Sequence, residues 1–144
     1  MKRHPAWLAT GLLVIAVLAC KNTGSDSKPT DFNHKTTEIH TAKDDGNEMP
    51  GKAATSFSVK DRTIHCVSTL NEAKEGTKVS FGWSAVDVKG LPAQKIKDFD
   101  YTTKAEENIV HSHLTLPKDW PEGKYKCEIT IDGTLDRTAD FTIE

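Results

Sequence analysis

The chain has 144 residues, 28% of them charged and 36% hydrophobic, with a net charge of −2. That length suits one ordinary domain with extensions. Acidic and basic residues are interspersed with no basic block of five or more, so no nucleic-acid partner is expected.

The chain opens on MKRHPAWLATGLLVIAVLAC. Lys2 and Arg3 form a basic start, and Trp7 to Ala19 is an apolar run broken only by Thr10 and Gly11. As a helix that run would span about 20 Å, short of the roughly 30 Å hydrocarbon core of a bilayer. Residues 1–19 therefore read as a signal peptide and not as a permanent membrane span.

The run closes on Val17-Leu18-Ala19-Cys20, which resembles a bacterial lipobox, although Leu18 is bulkier than the small residue usual there. The resemblance implies diacylation of the Cys20 thiol and cleavage that makes Cys20 the first mature residue. Membrane lipid is then the first partner, since acyl chains contribute about 0.8 kcal/mol per buried CH₂. Lys21, not aspartate, follows the cysteine. By analogy with Gram-negative lipoproteins, that implies the outer membrane facing the periplasm, with the cell surface as the other address. Cleavage leaves 17 basic residues against 21 acidic ones. With Cys20 given to lipid, Cys66 and Cys127 remain as an even pair in an oxidising compartment, and a disulfide between them is expected. Closing a loop of about 60 residues is worth on the order of 4 kcal/mol in the chain-entropy model.

Residues 20–54 then read as the lipidated cysteine and a flexible tether. Phe32, Ile39 and Met49 are the only large apolar residues among Thr, Ser, Asp, Asn, Lys and Gly. Such a stretch is expected to bury too little surface to offset the entropy of ordering it.

From Thr55 the texture changes to short alternating segments, and residues 55–144 form the expected domain. Strands are expected at 55–59, 63–70, 78–88, 95–103, 108–116, 125–131 and 135–143. In the second, Ile64, Cys66 and Leu70 share a face; in the third, Val79, Phe81 and Trp83 do, before the phase slips to Val86 and Val88 and suggests a bulge. Asn71 to Thr77 is a loop. Trp120-Pro121-Glu122-Gly123 fits a type I turn, and Asp132-Gly133 a two-residue hairpin. In the last strand Leu135, Ala139, Phe141 and Ile143 fall in phase. Seven strands with turn chemistry between them make an all-β antiparallel sandwich.

Lettered A to G, these strands place Cys66 on B, Trp83 on C and Cys127 on F, with Tyr125 two residues before the second cysteine. The constellation resembles the immunoglobulin fold, in which a strand-C tryptophan packs on a B–F disulfide and a tyrosine corner precedes the second cysteine. The resemblance spans about Thr55 to Glu144 and rests on four residues and their spacing. Strand A is faint, so a fibronectin-III-like order with Cys66 on the first strand stays open.

His111-Ser112-His113 puts two imidazoles on one face of a strand, roughly 7 Å apart, while Val110, Leu114 and Leu116 face inward. Two such histidines could share Cu or Zn if a third ligand arrived, with His65, or His34 and His40 in the tether, as candidates. Exposed histidines are also ordinary on a solvated face. Catalysis has less support: no G-x-S-x-G, H-E-x-x-H, C-x-x-C or phosphate-binding loop occurs. Asp98 and Asp100 lie among Lys95, Lys97 and Lys104 and read as a salt-bridged surface, and Glu106-Glu107 as a turn. Recognition through a surface remains, at the 71–77 loop, at Leu91, Phe99 and Tyr101, or at the His111/His113 face. Phe99 and Tyr101 would equally complete the core. The expectation is a non-enzymatic envelope lipoprotein that binds a protein partner or serves a structural role. A periplasmic Cu/Zn-binding protein and an inhibitor of an envelope hydrolase are the alternatives.

Overall fold

From Thr63 onward most strands carry apolar residues at alternate positions, and two sheets close over those rows. The computed structural model describes residues 35–144. Among them are nine strands: β1 (Thr36–Asp44), β2 (Pro50–Ala53), β3 (Ser56–Phe57), β4 (Thr63–Leu70), β5 (Lys78–Val88), β6 (Gln94–Thr102), β7 (Ile109–Thr115), β8 (Gly123–Ile131) and β9 (Thr134–Ile143). One sheet runs β2-β1-β4-β7 and the other β3-β9-β8-β5-β6. All pairings are antiparallel except the short β3, which lies parallel to β9.

In immunoglobulin lettering, β1, β4, β5, β7, β8 and β9 take the places of A, B, C, E, F and G. β6 hydrogen-bonds to β5 and not to β7, so it extends the C–F–G sheet instead of standing beside E as strand D does in constant-type domains. Cys66 lies on β4, central in its sheet between β1 and β7. It is therefore not on a first strand, although β6 beside β5 keeps the sheet order compatible with a fibronectin-III-like sandwich.

The main correction concerns the tether. Residues 36–44 and 50–53 are strands, and β1 pairs with β4 along nearly its whole length, from Thr36↔Leu70 to Lys43↔Ile64. The domain begins no later than Lys35, not at Thr55. β1 buries Thr36, Thr41 and Ala42 and turns Ile39 partly onto the core. Its place is also fixed by polar contacts: the Asp136 carboxylate accepts from the Lys35 and Thr36 N–H groups at 3.1 and 2.9 Å, and Arg137 Nε donates to the Thr36 carbonyl at 2.6 Å. Small residues and backbone pairing replace the large apolar residues that the segment lacks. The signal peptide, Cys20, residues 21–34 and His34 lie outside the described residues.

The rest of the chain follows the expected strands closely. The slip at Val86 is a register shift between Ala85 and Asp87 against β8, leaving Val86 exposed and Val88 buried. A second shift, between Ile129 and Thr130, takes Leu135 out of phase, so it is 57% exposed instead of joining Ala139, Phe141 and Ile143. Asp132 and Gly133 both have positive φ, 49° and 85°, as a two-residue hairpin of the favoured twist needs. Gly123 (φ 148°) passes so close to β5 that a Cβ there would meet the Asp87 carbonyl at 2.4 Å. β6 is an exposed edge strand: Phe99 is half-buried against the core, while Tyr101 reaches outward and donates its hydroxyl to Glu107 at 2.8 Å. Lys95 pairs with Asp98 at 3.0 Å, in keeping with a salt-bridged surface.

Candidate functional site

Two constellations stand out, one on each side of β4. Inside, Cys66 from one sheet and Cys127 from the other are both fully buried and near enough for Cys66 to act on the Cys127 thiol. They are free thiols, so the expected bridge is not formed in this structure. Burial, reinforced by Cys66, pushes the Cys127 thiol far up, which keeps it protonated and unreactive. Trp83 is completely buried, and its indole N–H donates across the sandwich to Ser112 Oγ on β7 at 3.1 Å. The Tyr125 hydroxyl donates to the Pro121 carbonyl at 2.7 Å, the tyrosine-corner bond reaching back a few residues. Its ring stacks on Phe141 at 5.5 Å and meets the Trp120 edge at 5.3 Å. The four signature residues thus come together at the inner seam.

On the outer side of β4, directly paired residues of an antiparallel ladder share a face. The pairs His65↔His113 and Val67↔His111 link β4 to β7, and Ala42↔His65 and His40↔Val67 link β1 to β4. Four histidines, His40, His65, His111 and His113, therefore occupy one face. The His65 ring lies 5.3 Å from that of His113 and 5.9 Å from that of His111, centre to centre, tilted 52° to each.

His65 is the unusual member. It is outward-facing, as expected, yet completely buried. Its Nε2–H donates to Asp44 Oδ1 at 2.8 Å, and its Nδ1 is buried with no hydrogen-bond partner. The bond from His65 lowers the Asp44 carboxyl below its ordinary range despite partial desolvation, with help from the Gly46 N–H, which donates to Oδ2 at 2.8 Å. An unpartnered buried nitrogen costs about 1–3 kcal/mol, so this arrangement is not the cheapest way to cover a sheet. Burial, then the neighbouring His65 and His113, push His111 down, so it resists taking a proton. His40 Nδ1 lies 3.2 Å from Glu38 Oε1, near enough for a charge contact but misaligned for a hydrogen bond. Among the described residues, no group of three or more His, Cys, Asp or Glu side chains is placed to hold a metal ion as it stands.

Sequence reasoning reached His65, His111 and His113. It missed Asp44, which sat in the stretch read as tether. Of the expected binding surfaces, the 71–77 loop borders a cleft of about 320 Å³ with Lys35, Lys74 and Asp132 in its wall. The Lys35 ammonium there is paired with Asp132 at 2.7 Å.

The fold is an all-β, immunoglobulin-like antiparallel sandwich. An immunoglobulin-like protein from Pseudomonas aeruginosa superposes with a TM-score of 0.53 over 74% of this chain and 92% of its own, at 13% identity. An alkylpurine DNA glycosylase from Pseudomonas fluorescens, bound to DNA containing an abasic-site analog, matches 77% of this chain and 31% of its own at 16% identity. Its TM-score of 0.42 is too low to bear on function. At such identities the first likeness speaks for the fold alone. No family model and no curated protein matches the chain.

Proposed function

We propose that the chain is a lipid-anchored bacterial envelope protein whose immunoglobulin-like domain serves as a non-enzymatic binding or structural module. The observation that carries this reading is the meeting of Cys66 and Cys127. Two neighbouring buried thiols stay reduced and inert in a reducing cell but make a natural bridge in an oxidising one. The bridge would form while the chain folds after export, because once buried the neutral Cys127 thiol exchanges too slowly. That address agrees with Cys20, the remaining cysteine, at the end of the lipobox-like segment. In this reading Cys20 is acylated at the outer membrane and the domain stands on its periplasmic side.

Replacing Cys20 with serine tests the anchor. Cys20→Ser is expected to accumulate as an unprocessed precursor that takes up no labelled palmitate. A variant still processed and labelled as the unsubstituted chain is would refute the anchor.

A further inference from the structure

We propose that His65, His111 and His113 bind a divalent transition ion that favours imidazole, Zn²⁺ or Cu²⁺, with Asp44 orienting His65. Nothing in this site depends on Cys20, so the anchor and the metal site stand or fall separately.

The chemistry starts at Asp44. Its carboxylate accepts the hydrogen bond from His65 Nε2 at 2.8 Å, so Nε2 carries the proton. In the neutral ring Nδ1 is then a bare lone pair. That nitrogen is buried, has no protein partner, and belongs to a ring flanked by two more imidazoles. A metal-ligating histidine nearly always gives its other ring N–H to a carboxylate or carbonyl, which fixes the tautomer and raises the basicity of the ligating nitrogen. His65 has that arrangement without a metal. Asp44 is itself held by the Gly46 N–H at 2.8 Å, so the orienting group does not swing.

The two spacings from His65 are within reach of a shared ion. A Zn–N bond of about 2.0–2.1 Å plus roughly 1.1 Å from nitrogen to ring centre puts each ring centre about 3.2 Å from the metal. A tetrahedral angle then separates two ring centres by about 5.2 Å, and a wider angle near 135° by about 5.9 Å. The observed separations from His65 are 5.3 Å to His113 and 5.9 Å to His111. With those two angles the His111 and His113 ring centres would have to come within about 5.4 Å of each other, closer than their strand spacing of roughly 7 Å, so the site closes only when both side chains rotate inward. His111 is exposed and His113 half-buried, which leaves both free to turn and gives the ion a way in from solvent.

Borderline ions suit three imidazoles, whereas Mg²⁺ and Ca²⁺ seek oxygen ligands. Three protein nitrogens leave a tetrahedral ion one open position.

Calorimetric titration of the full chain, purified in detergent without a polyhistidine tag, with Zn²⁺ and with Cu²⁺ tests this. One ion per chain is expected. His65→Leu and His113→Ala should each weaken binding by about 100-fold or more, and Asp44→Asn by about 10–100-fold through its effect on His65. The Cu²⁺ complex should show three coordinating nitrogens by electron paramagnetic resonance, falling to two in His113→Ala. No binding heat from the unsubstituted chain would overturn the proposal. So would undiminished affinity in His65→Leu, the result if His111 and His113 chelate alone. Should His65→Leu not fold, His113→Ala and Asp44→Asn decide the matter, and full affinity in both contradicts the site.

Discussion

The two faces of β4 use one backbone in opposite ways. Its inner row, Ile64, Cys66 and Leu70, meets Cys127 and the Trp83–Tyr125–Phe141 aromatic group, where indole N–H and phenol O–H both find acceptors. Its outer row buries His65 as completely as any core residue but leaves Nδ1 without a partner. The aromatic donors of the inner side find acceptors while His65 on the outer side does not, and with the proposed metal site stability and binding fall on different sides of the same strand. Substitutions on the inner side should therefore damage stability. Those on the outer side should damage binding while leaving stability alone.

The largest effect should come from removing the strand that both sides share as a flank. A chain starting at Thr55 loses β1 and β2, bares the edge of β4 and takes away Asp44. It is expected to show no cooperative urea transition, whereas a chain starting at Lys35 shows one. Next comes Trp83→Ala, which opens a large inner cavity and should cost about 3–5 kcal/mol in the same measurement. Tyr125→Phe removes only the bond to the Pro121 carbonyl and should cost about 1 kcal/mol. His65→Leu is the smallest, and it differs in kind. It deletes the orphaned nitrogen and leaves Asp44 with its partly exposed oxygens to water, so stability should stay within about 1 kcal/mol of the original or rise. A loss of several kcal/mol there would show that the outer histidine is structural and collapse the contrast.

The legibility of these features in the sequence followed the size of the side chains. From Thr63 onward large apolar residues alternate through β4, the first half of β5, β7 and β8, and the expected ends of β4 and β5 coincide with those observed. The Asp-Gly hairpin and the tyrosine corner were readable because each rests on local chemistry. β1 escaped because Thr36, Thr41 and Ala42 are buried in place of large residues, and its acceptors and donors lie about a hundred residues away, at Asp136 and Arg137. A signal was present all the same: Thr36, Thr37, Ile39 and Thr41 are β-branched and fit a pleated surface, and Gly46 follows as a turn. Missing that strand meant missing Asp44, and with it the reason why His65 differs from an ordinary surface histidine. Leu135 misled for another cause, since one bulge reverses every side chain beyond it.

Mass spectrometry of the mature protein taken from cell envelopes, without reduction, addresses most directly the claim of an exported, cross-linked and anchored module. The expected product begins at an acylated Cys20 and yields the Cys66 and Cys127 peptides joined, two hydrogens lighter than their sum. An unacylated chain that retains residues 1–19 and carries two alkylatable thiols would contradict it.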